Sequence, residues 1–283
     1  MELDIATLTA ILAWGIVVGA VFSTIGAAGG ILASFGLISL FGITEPNSVK
    51  PMTQIILLVS ALVFIPSYFR RAAICWRLGL LLGAGGLVGA YVGSTLSTIY
   101  LSDMKTFLPL FGILTLAIAA QIIWKLISQR NQPTPKSQPN STKGVNVKFI
   151  DTKWLEFSYA DQNYRIPLWS PLLAGAVISM TAAIFGVGGG FLLVPYMASV
   201  LKMPMHIIPG TAAIAIFISL SVSIGNYLSL GAPLHMNILI PLMIGALAGA
   251  LAGPYINKRV KNSWLQMGLA VIVIGIGLKY TLL

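Results

Sequence analysis

Two glycine-rich stretches decide the fold: Gly26-Ala27-Ala28-Gly29-Gly30 and Gly186-Val187-Gly188-Gly189-Gly190. They lie inside hydrophobic runs that cover residues 5–42 and 169–201. Both runs are too long for one membrane helix, because about 20 apolar residues cross the bilayer core. Glycine permits positive φ angles and close approach of another backbone. Each run is therefore predicted to form a hairpin, with a helix, a tight break and a shorter second helix.

Composition places the rest of the chain in a lipid bilayer as well. Hydrophobic residues make up 57% of the chain and charged residues 8%, with a mean hydropathy of +0.91. A soluble domain carries about 25% charged residues. Six more apolar runs each have the length of one crossing: 51–69, 78–99, 107–127, 208–229, 238–256 and 263–283. The sequence predicts an all-α integral membrane protein.

The two glycine stretches belong to a duplicated sequence. Gly26, Gly29 and Gly30 match Gly186, Gly189 and Gly190 at a spacing of 160 residues. Two further pairs follow in the same order: Pro51-Met52-Thr53 with Pro209-Gly210-Thr211, and Gly89 to Gly93 with Gly249 to Gly253. We predict two related halves, residues 1–127 and 169–283, each with a glycine-broken helical hairpin followed by three transmembrane helices.

Residues 128–168 differ from both halves and are predicted to be a polar linker. Residues 129–144 are rich in Pro, Ser, Asn and Lys, a composition typical of flexible segments. Apolar residues then alternate from Val145 onward. This alternation favours a small β-hairpin outside the membrane.

Loop charges indicate that the halves are inverted relative to each other. Lys and Arg collect in cytoplasmic loops, which accounts for the net charge of +10 without a nucleic-acid partner. The basic loops occupy non-equivalent positions in the two halves: Arg70, Arg71 and Arg77 in the first, and Lys258, Arg259 and Lys261 in the second. Inverted-topology repeats put both loops and the linker in the cytoplasm, and both termini outside the cell membrane.

The chemistry-bearing residues exclude several classes of function. The apolar runs contain no Asp or Glu, and the sequence has no HExxH, GxSxG or Walker motif. We therefore predict neither an enzyme nor a cofactor or metal site. The expected partners are a small anionic substrate and the lipid bilayer, and a homo-oligomer is left open.

The glycine breaks are the best candidate for a substrate site. Broken helices in equivalent positions are typical of transporters, and a helix N-terminus with exposed N–H groups suits an anion. Thr and Gln side chains supply donors, Lys50 a charge and Asn226 a polar group within an apolar run. The competing explanations are helix packing for the glycines and capping for the threonines. The candidate residues are Gly29, Gly30, Lys50, Thr53, Gln54, Gly188, Gly189, Gly190, Thr211 and Asn226.

These motifs resemble the TauE/SafE sulfite-exporter family. The second-half stretch from Gly186 to Pro195 carries the resemblance most clearly, together with Tyr68 to Leu78 and the helix of Gly89 and Gly93. The first half departs from the pattern, with Ala28 at the position of Gly188 and Phe35 at that of Pro195. The resemblance implies a cell-membrane permease for sulfur-containing anions such as sulfite or organosulfonates.

The expected mechanism is a carrier or facilitator, acting as an exporter, in which the two halves rock about a central site. An anion channel of the same architecture is the alternative. A membrane subunit that needs a soluble partner bound through residues 128–168 is another. The sequence leaves the identity of the anion and the coupling ion open.

Overall fold

The computed structural model describes residues 4–25, 29–70, 74–130, 146–150, 154–159, 162–203, 207–259 and 262–282. Its helices form two series with the same order of long and short elements. The first series is α1 (Ile5–Ile25), α2 (Gly29–Phe35), a π-helix (Gly36–Leu40), α3 (Pro46–Arg70), α4 (Trp76–Tyr100) and α5 (Met104–Arg130). The second is α6 (Trp169–Phe185), α7 (Gly190–Pro195), a π-helix (Tyr196–Val200), α8 (Ile208–Ser229), α9 (Met236–Arg259) and α10 (Asn262–Leu282).

Both overlong runs break near their glycines, which confirms that prediction. In the second run α6 ends at Phe185, the next residue Gly186 has φ +73°, and Gly188 has φ +76°. Only glycine adopts such angles without strain. In the first run α1 ends at Ile25 and α2 begins at Gly29, and residues 26–28 lie outside the described part of the chain.

Each short helix continues into a π-helix that closes in the same way in both halves. The amide of Phe41 donates to the carbonyl of Gly36 at 2.9 Å. The equivalent amide of Leu201 donates to the carbonyl of Tyr196 at 3.2 Å. The two bonds lie 160 residues apart, so the repeated sequence produces a repeated local structure.

Six helices in the described residues are long and apolar enough to cross a membrane: 5–24, 76–100, 104–124, 208–229, 236–253 and 265–282. Five of them coincide with runs predicted as single crossings, and the sixth is α1, the first arm of the first hairpin. The expectation of a multi-pass α-helical membrane protein is confirmed.

Glycines join α1 to α9 and α4 to α6 at backbone distance. A Cβ added at Gly89 would overlap the carbonyl of Ala176, and one added at Gly249 would overlap the carbonyl of Ile16. The two contacts are equivalent in the repeat, because Gly249 lies 160 residues after Gly89 and Ile16 lies 160 residues before Ala176. These glycines allow close helix packing, since a side chain there would separate the helices.

The linker contains a three-stranded antiparallel sheet, which is larger than the predicted hairpin. Its strands are β1 (Asn146–Ile150), β2 (Trp154–Tyr159) and β3 (Gln162–Pro167), in the order β1-β2-β3. Leu155 and Ile166 are buried in a cluster that includes residues of α4 and α8. The sheet therefore packs against the helices. Residues 131–145, and with them most of the segment expected to be flexible, lie outside the described residues.

Candidate functional site

A small internal cavity lies where α3, α6 and α8 meet the second glycine break. Its volume is about 10 Å³, roughly the space of one water molecule. Both polar and apolar residues line it. The polar wall consists of Gln54, Ser179, Ser219 and Ser223. The remaining lining residues are Ala182, Ala183, Gly189, Leu193, Ile216 and Leu220.

Gln54 is the unusual member of this wall. Its side chain is fully buried in α3, and neither Nε2 nor Oε1 has a hydrogen-bond partner among the described residues. The hydroxyl of Ser223 is buried and unpartnered as well. A buried polar group without a partner costs about 1–3 kcal/mol. Two such groups on one cavity indicate that a ligand or solvent molecule completes their bonding.

The other two serines bond to each other across the boundary between α6 and α8. The hydroxyls of Ser179 and Ser219 lie 2.7 Å apart. Ser219 also donates to the carbonyl of Ala215 at 2.8 Å, which leaves Ser179 as the donor within the pair. The donors still free for a ligand are therefore those of Gln54 and Ser223.

The second glycine break contributes one of its three predicted residues to the cavity. Gly189 lines it, and an added Cβ at this position would have its nearest neighbour 3.5 Å away. Gly188 instead has φ +76°, and its Cβ would lie 2.8 Å from Cδ1 of Leu57. Gly190 is buried at the start of α7. Because α7 has only six residues, its dipole is small, and the site depends on side chains.

The first glycine break touches the second break without lining the cavity. Gly30 lies against the backbone of Val187, so closely that a Cβ would overlap the Val187 carbonyl. A Cβ on Gly29 would lie 2.6 Å from Cβ of Phe22. The structure therefore brings the two breaks together, as the repeat suggests, and uses both glycines of the first for close packing.

The two candidate threonines already have partners. Oγ1 of Thr53 lies 3.1 Å from Oγ of Ser34, which joins α3 to α2. Thr211 donates to the carbonyl of Ile207 at 2.7 Å and accepts from the amide of Cys75 at 3.0 Å. Thr211 thus holds the residue that precedes α4, and it does not line the cavity.

Lys50 and Asn226 also act between helices. The buried ammonium of Lys50 donates to the carbonyl of Leu101 at 2.7 Å and to that of Ser97 at 3.3 Å. These carbonyls end α4, where a positive charge is favourable. Nδ2 of Asn226 lies 2.7 Å from Oγ of Ser94 and ties α8 to α4. Neither residue lines the cavity.

Sequence reasoning identified Gln54 and Gly189 but missed the three serines of the polar wall. Ser219 and Ser223 are four residues apart in α8, which places them on the same face of the helix. A pair of hydroxyls at this spacing in an apolar run was the available signal. Ser179 lies in a different run and becomes its neighbour only through the packing of α6 on α8.

A larger cleft of about 590 Å³ opens between residues 41–45 and residues 234–238. It contains the side chains of Glu45 and His235. Near this cleft, Ser48 donates to the carbonyl of Pro233 at 2.7 Å. A carboxylate disfavours an anion, so the small cavity is the stronger candidate for an anion site.

Comparison with known proteins covers nearly the whole chain. The family model described as "Sulfite exporter TauE/SafE" matches residues 11–280. The "Probable membrane transporter protein YunE" of Bacillus subtilis (strain 168) is 25% identical over 275 residues, 93% of each chain. A "Probable membrane transporter protein" of Xylella fastidiosa (strain Temecula1 / ATCC 700964) is 24% identical over 271 residues, 93% of this chain and 91% of that protein. No solved structure matches the chain.

Proposed function

Since the chain belongs to the TauE/SafE sulfite exporter family, we propose that it carries small sulfur-containing anions, such as sulfite or an organosulfonate, out of the cell. The family and the matched relatives are membrane transporters, so the protein is a multi-pass transporter and not an enzyme. The identity of the anion, the outward direction and the site are the proposed parts.

One observation carries the proposal of a site: the unpartnered amide of Gln54 lines a small cavity together with the unpartnered hydroxyl of Ser223. An oxyanion supplies the acceptor oxygens that Nε2 of Gln54 and Oγ of Ser223 lack. Gly189 borders the same space, and its missing side chain leaves room for a ligand to approach. The site holds its anion with neutral donors.

The size of the cavity favours a carrier. A volume of about 10 Å³ holds about one water molecule, so an oxyanion fits only after the surrounding helices separate. In the proposed cycle, α3 of one half moves against α6 and α8 of the other and opens the site to one side at a time. Inside-negative potential favours outward movement of a monovalent anion by about 2.3 kcal/mol per 100 mV.

We further propose that the halves, residues 1–127 and 169–283, are inverted repeats joined by the cytoplasmic linker 128–168. The exchanged contacts of α1 with α9 and of α4 with α6 support a two-fold relation between the halves. The basic loops support the inversion, because they occupy non-equivalent positions in the two halves. Both termini then lie outside the cell membrane.

Uptake by purified protein in liposomes tests the function. The panel contains sulfite, sulfate, thiosulfate, sulfoacetate and taurine, and the variants are Gln54→Leu and Ser223→Ala. Both variants are expected to reduce kcat/KM for the transported anion at least tenfold while the folded yield is unchanged. Thr115→Val is the control, because Thr115 is buried in α5 and donates to the carbonyl of Gly112 away from the cavity.

Three results would count against parts of this proposal. Wild-type uptake rates in both site variants would exclude the Gln54 cavity as the substrate site. Ohmic single-channel currents without saturation or counterflow would identify an anion channel. Loss of transport on deleting residues 131–145, restored by a soluble protein, would identify a subunit that needs a partner.

A further inference from the structure

We infer that the cavity beside Gln54 binds a singly charged oxyanion that also carries a hydrogen-bond donor, and that it rejects dianions. This inference rests on the proposed transport function and specifies the charge and bonding pattern of its substrate. It follows from three features of the described residues: the neutral lining, the position of Lys50 and the two free atoms of the Gln54 amide.

The lining sets the limit on charge. Every residue that lines the cavity is neutral, and its polar groups are one amide and three hydroxyls. Leaving water is costly for any ion, and the penalty rises steeply with the number of charges. Two free donors, on Gln54 and Ser223, replace part of the hydration of one negative charge. A second negative charge on the ligand would remain without compensation.

Lys50 supplies one positive charge at a distance. It precedes Gln54 by four residues in α3, so the two side chains are neighbours on the same helix face. Its ammonium is held by backbone carbonyls at the end of α4 and has no carboxylate partner within the described residues. The Lys50 amine lies one helical turn from Gln54 and can compensate at most one negative charge.

The Gln54 amide determines the hydrogen-bonding pattern. Its Nε2 is a donor without an acceptor, and its Oε1 is an acceptor without a donor. If the amide is flipped, it still presents one donor and one acceptor without a partner. The ligand therefore offers an acceptor oxygen and a hydrogen-bond donor. A protonated oxyacid monoanion such as hydrogen sulfite meets both needs, as does a sulfonate with a hydroxyl group.

The apolar part of the lining suits a short carbon chain. Leu193, Ile216 and Leu220 border the same cavity as the polar residues. A hydroxyalkyl sulfonate places its methylene groups against these side chains. Binding sites that hydrogen-bond a substrate hydroxyl strongly reject the analogue without it, because their own polar group is then left unpaired.

The test compares isethionate, ethanesulfonate and sulfate in proteoliposomes containing the full chain. Isethionate and ethanesulfonate are both monoanions and differ by one hydroxyl, while sulfate is a dianion. We expect kcat/KM for isethionate to exceed the other two at least tenfold. Gln54→Leu is expected to bring the ratio of isethionate to ethanesulfonate close to one. Sulfite uptake is expected to fall as pH rises through neutrality, whereas isethionate uptake stays constant.

Uptake of the three anions by the wild-type protein tests the inference even if Gln54→Leu does not fold. Equal uptake of sulfate and isethionate would overturn the charge limit, and equal uptake of ethanesulfonate would overturn the donor requirement. In both cases the protein is still an anion transporter. Failure to take up any anion would overturn the proposed function and the inference together.

Discussion

Gly30 in the first half packs directly on the backbone carbonyl of Val187 in the second half. The contact joins the two glycine breaks at the centre of the molecule. Val187 lies between Gly186 and Gly188, both with positive φ. A larger residue at position 30 would have to displace this backbone, because the clashing atom is a carbonyl oxygen and not the end of a flexible side chain.

Gly30→Ala is consequently expected to destabilise the protein by about 1–3 kcal/mol, since overpacking against a backbone carbonyl is not relieved by side-chain rotation. The measurement is thermal unfolding in detergent followed by size-exclusion chromatography. Gly268→Ala in α10 is the matched control, because a Cβ there meets nothing within 4 Å. Equal melting temperatures for the two variants would refute the contact between the breaks.

Thr211→Val separates a structural role from a substrate role. The change keeps the shape of the side chain but leaves the buried amide of Cys75 without its acceptor. We expect a loss of about 1–3 kcal/mol in stability and an unchanged KM in the protein that folds. Thr181→Val is the control, because the exposed hydroxyl of Thr181 bonds only within its own helix. A raised KM in Thr211→Val would return Thr211 to the substrate site.

Gly86→Ala tests the hydrogen bond between Ser179 and Ser219 in the polar wall. A Cβ at Gly86 of α4 would lie 2.8 Å from Oγ of Ser179 and would overlap Oγ of Ser219. Serine hydroxyls rotate readily, so we expect the 2.7 Å bond between them to break with little loss of fold. KM for the transported anion is expected to rise several-fold. Gly225→Ala in α8, where a Cβ meets nothing within 4 Å, is the control.

The sequence was sufficient for the parts of the fold that depend on local patterns. Overlong apolar runs and their glycines predicted both hairpins, because length and backbone freedom are properties of one segment. The cavity was only partly predictable. Gln54 was singled out as a hydrogen-bond donor, but Ser179 and Ser219, which are 40 residues apart in the chain, approach only through the packing of α6 on α8. A pattern within one segment cannot reveal such a contact between two helices.

The same limit explains why the sequence could not distinguish between a substrate role and a helix contact for the threonines and Lys50. Each is a polar residue in or near an apolar run, and from the sequence each is equally suited to a substrate or to another helix. Thr211 bonds to the segment before α4, and Lys50 bonds to the end of that helix. These partners lie far away in sequence, so only the assembled fold distinguishes a helix contact from a free donor.

The proposed inversion of the halves predicts that two equivalent loops lie on opposite sides of the membrane. Thr44 and Lys202 follow the first and second broken runs, and both are exposed. If the halves are inverted, the Thr44 loop faces the outside and the Lys202 loop faces the cytoplasm. Parallel halves would place both loops on the same side of the membrane.

Single cysteines at these positions decide between the two arrangements. Cys75 is the only cysteine of the chain, so Cys75→Ser provides a background for Thr44→Cys and Lys202→Cys. A membrane-impermeant maleimide is expected to label Thr44→Cys in intact cells and Lys202→Cys only in inside-out vesicles. Arg165→Cys on the exposed face of β3 lies in the proposed cytoplasmic linker and should follow Lys202→Cys. Labelling of both loops from one side would refute the inversion. This conclusion holds for either orientation of the whole protein in the membrane, because it depends only on whether the two loops lie on the same side.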